Sequence, residues 1–176
     1  METSGQADAA LREARAHLEA AVTRLAAADA RDEQLAAWAP RRRIFGIDRG
    51  QAMVGVERVW RLGVLLLGRS GRLYATGQIV RAVESGHPNR QSKLAEERRR
   101  IRVEAVKAGF ADGDTVNIAA QPIDLAVVTE SSPQEPVLFA DGRLRVRWSP
   151  TSGALMDFGS YVDERVDLLI SPPQGA

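Results

Sequence analysis

The chain of 176 residues contains no cysteine. That excludes disulfides, thiolate nucleophiles and any cysteine-ligated metal. It suits a reducing compartment, and cytoplasmic residence is the expectation. Histidine occurs only as His17 and His87. A zinc site would have to collect carboxylates from several distant segments, so neither a metal nor a cofactor is expected. Lysine occurs only as Lys93 and Lys107, while arginine and alanine are abundant. That bias points to a GC-rich bacterial source. No apolar run approaches the ~20 residues of a membrane-spanning helix. The first residues carry Glu2 and Asp8 and no basic-then-apolar stretch, so neither a signal peptide nor membrane association is expected.

The motifs of common chemistry are missing too. There is no Gly-x-Gly-x-x-Gly and no Walker loop. Gly68-Arg-Ser-Gly71 has the composition of a phosphate loop, but it joins two expected strands and lacks a following helix N-terminus. Ser70 lies outside a Gly-x-Ser-x-Gly elbow, and no serine is followed three residues later by lysine. His87 precedes proline in a Gly/Asn-rich stretch that reads as a turn.

What is present specifies a folded domain with a sizeable core. The most apolar stretch runs from Leu62 to Val83 and carries its own turn. Val64 to Leu67 is too short for a buried helix and is bounded by Gly63 and Gly68. Leu62–Leu67 and Leu73–Val80 are therefore expected as adjacent antiparallel strands, with Gly68 and Gly71 supplying the reversal. Gly63 and Gly77 inside these strands signal a bulge or the close approach of another element.

Before this hairpin, residues 6–38 read as one helix. Leu11, Leu18 and Leu25 recur with Ala14, Ala21 and Ala28 between them, a heptad stripe of about three repeats. The stripe either lies on its own domain or pairs with another subunit. Asp29 to Glu33 is a possible break, and His17 falls off the stripe, where solvent is expected. Arg41-Arg42-Arg43 reads as a solvated linker, and 52–56 as a short strand. After the hairpin, Ser92 is the expected N-cap of a helix to Ala108, with Gly109 closing it. Leu94, Ile101, Ala105 and Ala108 form its apolar face, and Glu96–Arg100, Arg100–Glu104 and Lys93–Glu97 are opposite charges four apart. Residues 115–120 read as a strand and 126–136 as a loop. Asp141-Gly142 between 137–140 and 143–148 is a strong hairpin signal, with Arg143, Arg145 and Arg147 on one face of its second strand. A last helix is expected over 157–169, buried through Phe158, Tyr161, Val162, Val166 and Leu169.

The expected architecture is thus α+β: a mainly antiparallel sheet with helices on one face, preceded by a long N-terminal helix. Residues 1–40 form that helix, 41–170 a single α+β domain, and 171–176 a loose tail.

Charge is segregated along the chain. Residues 1–40 hold four Arg against seven acids (−3), 41–110 sixteen Lys/Arg against six acids (+10), and 111–176 four Arg against ten acids (−6). A basic middle can meet an anionic partner. The overall balance lacks the excess of a dedicated nucleic-acid binder, so the segments are expected to neutralise one another, and nucleic acid is not the expected partner.

One loose constellation remains as a pocket candidate: Glu57, Trp60, Arg98, Asp124 and Trp148, each a polar or aromatic residue beside an apolar element. Core-edge tryptophans plus a buried ion pair would produce the same pattern. Arg98 falls on the apolar side of its helix, one turn after Leu94. A desolvated guanidinium needs acceptors, so a carboxylate partner is expected, Glu57 first and Asp124 second.

Several segments together resemble a family of short, uncharacterised bacterial proteins, some of which carry the name glutaminase. They are Arg43-Ile-Phe-Gly-Ile47, Trp60-Arg-Leu-Gly-Val-Leu-Leu-Leu67, Ala75-Thr-Gly77, Gly109-Phe110, Pro122-Ile-Asp-Leu125, Val146-Arg-Trp-Ser149 and Tyr161-Val162 with Glu164-Arg165-Val166. The resemblance covers most of 43–168. The name implies amide hydrolysis. The serine glutaminases use a Ser-x-x-Lys pair on a longer chain, and that pair is absent here. The leading expectation is therefore a non-catalytic binding or structural protein, acting on an unknown protein partner or by self-association through the N-terminal helix. A small amidohydrolase and a weak nucleic-acid binder are the alternatives.

Overall fold

The computed structural model describes residues 2–41, 50–82, 93–149 and 151–173; the side chains of 2–4, 93–95 and 98 are outside the description. The chain runs α1 (Glu2–Ala27), β1 (Glu33–Pro40), β2 (Gln51–Leu62), β3 (Leu65–Gly68), β4 (Leu73–Ala75), β5 (Gln78–Arg81), α2 (Lys93–Lys107), β6 (Thr115–Ile118), β7 (Gln121–Ile123), a 3-10 turn (Leu125–Val127), β8 (Val137–Ala140), β9 (Arg143–Arg147), β10 (Leu155–Asp157) and α3 (Phe158–Ile170). Seven strands form one sheet in the order β5-β6-β1-β2-β3-β4-β7, and β10-β9-β8 form a second. The large sheet is mainly antiparallel; β1 with β6 is its parallel pair. The fold is α+β and opens with a long helix, as the sequence led us to expect.

The chain divides into two compact units. The first comprises Met1–Asp32, Trp60–Thr76 and Gln121–Ala176; the second comprises Glu33–Val59 and Gly77–Ala120.

In the first unit, α1 buries Ala14, Leu18, Ala21 and Leu25 in a core shared with Trp60, Leu62, Leu65, Val146, Phe158, Tyr161 and Val166. The heptad stripe thus packs within its own unit, chiefly on α3, except Ala28, which lies past the end of α1 and is exposed. His17 is a correction: its Nδ1 lies 3.1 Å from Asp163 Oδ2 and its ring is seated on Gly159, so it is half-buried rather than solvated. Any Cβ at position 159 would fall about 2.5 Å from the imidazole Nε2. The helix ends sooner than the sequence suggested. Ala30 N–H bonds Leu25 O at 3.0 Å and Asp29 N–H bonds Ala26 O at 3.2 Å, with Asp29 at φ +46. This is a Schellman stop with aspartate in the left-handed position. Residues 33–40, read as helix, are strand β1, because eight backbone positions find partners on β2.

The hairpin at the centre of the sequence reading is β3–β4, with Leu65 opposite Ala75 and Leu67 opposite Leu73. Its limits differ from expectation. Leu62 ends β2, and a turn at Gly63 (φ +64) leads into β3. Leu73–Val80 is two strands, since only β4 faces β3 while β5 pairs with β6. Of the two turn glycines, Gly71 takes the positive φ (+83) and Gly68 does not. The Asp-Gly hairpin forms as expected: Asp141 (φ +52) and Gly142 (φ +72) join β8 to β9. On β9, Arg147 pairs with Glu135 at 3.2 Å and Arg145 lies 3.9 Å from Asp141.

In the second unit, β1, β2, β5 and β6 carry α2 over a core of Ala36, Met53, Val80, Ala82, Ile101, Ala105, Val116 and Ile118. The 52–56 strand is longer than expected, spanning Gln51–Leu62, with a bulge that shifts the register beside Leu35/Ala36. Gly77 is where two backbones meet: a Cβ there would strike the Ile118 carbonyl and Ala119. Among the described residues, two ion pairs on α2 join residues three apart, Glu97–Arg100 (3.2 Å) and Glu104–Lys107 (2.9 Å), whereas the expected Lys93–Glu97 pair falls on a side chain outside the description. Ser92, the expected N-cap, and Arg42 and Arg43 of the basic triplet lie outside the described residues.

Candidate functional site

The five residues singled out from the sequence divide between the units. Trp60, Asp124 and Trp148 belong to the first; Glu57 and Arg98 belong to the second. Trp60 is buried and donates its indole N–H to the Ala30 carbonyl at 3.1 Å, under the Arg69 guanidinium 5.3 Å from the ring centroid. That cation–π contact and an Asp32 carboxylate 2.8 Å from Arg69 account for its polar surroundings. Asp124 accepts from Ala126 N–H at 3.0 Å and caps the 3-10 turn. Trp148 is 45% exposed after the end of β9. Glu57 lies half-buried within β2. The Arg98 side chain is outside the described residues, and so is its expected ion pair.

A different set of residues converges in the second unit. Between α2 and the sheet lies a groove of about 440 Å³ lined by Trp38, Gln51, Gln78, Glu97, Arg100, Ile101, Glu104, Ile118 and Ala119. Local structure explains the meeting. Antiparallel pairing sets Pro40 of β1 opposite Gln51 of β2, two positions along from the Trp38–Met53 pair. Pairing of β5 with β6 sets Gln78 opposite Ile118. Helical spacing puts Glu97, Ile101 and Glu104 along one flank of α2. Trp38 and Ile118 give apolar surface, and the two carboxamides can both donate and accept.

Glu104 is the anchored charge of this groove. Its side chain is 15% exposed; Oε1 meets Lys107 Nζ at 2.9 Å and Oε2 meets Arg41 at 2.9 Å. The hydrogen bond from the Lys107 ammonium, then the charges of Lys107 and Arg41, hold the carboxyl below the usual carboxylate range against the opposing effect of burial. At neutral pH it is a fixed anion and a poor proton acceptor.

Deeper in the same unit is the buried polar residue Asn117, 1% exposed. Its amide donates to Glu33 Oε2 at 2.8 Å and to the Gln34 carbonyl at 3.2 Å. Gln34 in turn donates to Asp114 at 3.3 Å. These bonds tie β1 to β6 where the sheet has its parallel pair.

The sequence alone hides the groove, because Trp38 reads there as helical and Gln51 and Gln78 carry no motif. Among the described residues, no group of three or more His, Asp or Glu is placed to hold a metal ion, and no helix is long and apolar enough to cross a membrane. A scan against protein-family models, a search of curated proteins and a search of solved structures each return no match to this chain.

Proposed function

We propose that the chain is a non-catalytic binding domain whose α2–sheet groove takes a small ligand with both a polar and an apolar part. The observation that carries this reading is the state of Glu104. A carboxylate already engaged by Lys107 and Arg41 serves fixed electrostatic recognition and is unsuited to general-base work near neutrality. Trp38, Ile101 and Ile118 supply apolar surface, while Gln51 and Gln78 supply orienting hydrogen bonds. Among the described residues the groove is lined by no hydroxyl, imidazole or amine side chain. The amide-hydrolase alternative rests on the resemblance of segments such as Trp60–Leu67 and would need a nucleophile from elsewhere.

Titration of the protein with free amino acids and their amides, glutamine included, tests both readings. The Trp38 indole N–H resonance, assigned with Trp38→Phe, reports the groove, and an ammonia assay reports turnover. Binding should shift that resonance without ammonia release. Ammonia release from glutamine, lost on substitution of a groove residue, would replace the binding reading with the enzymatic one.

A further inference from the structure

The other flank of α2 borders a sheet edge that no strand among the described residues covers. Among the described residues, β5 is the terminal strand of the seven-stranded sheet, paired on one side with β6. A second, open hollow of about 440 Å³ runs along all four of its residues, Gln78 to Arg81, and is also lined by Arg102 of α2. Ala82 fixes the direction of the backbone groups: its N–H bonds the Asp114 carbonyl at 3.0 Å and its carbonyl accepts from Gly113 at 2.7 Å, both toward the β6 side. Alternate residues of a strand send both groups to the same side. Val80 and Gln78 therefore also face β6, and Ile79 and Arg81 turn their N–H and C=O groups to the open edge. The side chains alternate as well. Val80 enters the core, while Ile79 is 50% exposed and Arg81 is exposed.

We infer that this edge is a docking site for an extended peptide that adds as an antiparallel strand to β5, with an acidic residue opposite Arg81 and a branched apolar residue opposite Ile79. The inference is independent of the ligand proposed for the first groove. Main-chain bonds to Ile79 and Arg81 would supply attachment, and the flanking side chains would supply selection. Charge decides between occupants. Arg81 and Arg102 border the hollow, in a segment, 41–110, carrying sixteen Lys/Arg against six acids. A second copy docked edge to edge would bring two Arg81 guanidiniums to one seam, which like-charge repulsion opposes. A carboxylate-bearing strand meets Arg81 favourably. In an antiparallel pairing, the peptide residue opposite Arg81 precedes the one opposite Ile79 by two, so the recognised pattern is acidic–x–apolar.

The probe is fluorescein-labelled Thr-Thr-Glu-Thr-Val-Thr-Thr, followed by fluorescence anisotropy with the full chain. Binding should weaken several-fold when its Glu is replaced by Lys, and the gap should narrow with added salt. N-methylation of the Glu and Val amides should abolish binding, because those two residues exchange bonds with Arg81 and Ile79. N-methylation of the Thr between them should leave it intact. Ile79→Pro removes an outward N–H that β6 does not use, so circular dichroism should stay native while binding is lost. Arg81→Glu should reverse the preference toward the Lys peptide. Absence of binding, equal affinity for the Glu and Lys peptides, or indifference to N-methylation would each overturn the inference. So would a dimer in sedimentation that Ile79→Pro dissociates, since a second copy would then occupy the edge.

Discussion

The Tyr161 hydroxyl clasps the turn at Gly63. It donates to the Leu62 carbonyl at 2.9 Å and accepts from the Val64 amide at 3.0 Å, so one side chain of α3 satisfies the backbone on both sides of the glycine. A Cβ at Gly63 would collide with that oxygen, and φ of +64 is unfavourable to any L side chain. Tyr161→Phe leaves a buried carbonyl and an amide without their partner and should cost about 1–3 kcal/mol. Gly63→Ala should cost at least about 1–2 kcal/mol from its backbone angle alone. The two changes share one contact, so the double variant should cost less than their sum. Urea unfolding midpoints of the four proteins measure this cycle. Strict additivity would show that the Tyr161 hydroxyl and Gly63 do not act through one shared contact.

Gly77 sits against the backbone of Ile118 and Ala119 rather than against a flexible side chain. Gly77→Ala must therefore displace β6 and should destabilise by about 1–3 kcal/mol. Amide exchange should accelerate at Val80 and Val116, which pair across β5 and β6. Unchanged exchange there would mean that the two backbones are not in contact.

Glu104 gives the second unit a defined acid response. Its folded-state pKa is depressed, first by the hydrogen bond from Lys107 and then by the charges of Lys107 and Arg41. A depressed carboxyl contributes stability that is fully present above its unfolded value and is lost as pH falls through the folded one. Glu104→Gln should therefore weaken the protein at neutral pH and flatten the stability loss below the usual carboxylate range. Arg41 and Lys107 are 38% and 61% exposed, so solvent screening keeps the neutral-pH effect at about 0.5–1 kcal/mol. Denaturation followed from neutral to acidic pH checks this; parallel curves for the two proteins would assign the acid response to other groups.

The basic 41–110 segment predicts only weak contact with duplex DNA. Its carboxylates already engage part of the charge, as in Arg41–Glu104 and Arg100–Glu97. A dissociation constant of roughly 10–100 µM at physiological salt, rising steeply with ionic strength, is expected. A nanomolar, salt-resistant complex in an anisotropy titration would point instead to a dedicated nucleic-acid site.

The sequence by itself determined the local signals. Asp141-Gly142 made its hairpin because both positions need positive φ, which glycine accepts freely and aspartate tolerates better than most. Phe158, Tyr161, Val162 and Val166 buried one helix face because their spacing matches the helical period. The Leu/Ala stripe of α1 was legible for the same reason. Tertiary structure decided what local signals left open. Glu33–Pro40 is a strand because β2 and β6 offer it partners on both sides, and those bonds override the helical preference of its alanines. Leu73–Val80 split in two because β4 and β5 pair with different strands. The candidate groove was invisible for the same physical reason. Trp38, Gln51, Gln78, Glu104 and Ile118 are separated along the chain and meet only through strand register and the placement of α2. Periodicity fixes which face of an element is apolar, whereas long-range pairing chooses its neighbour.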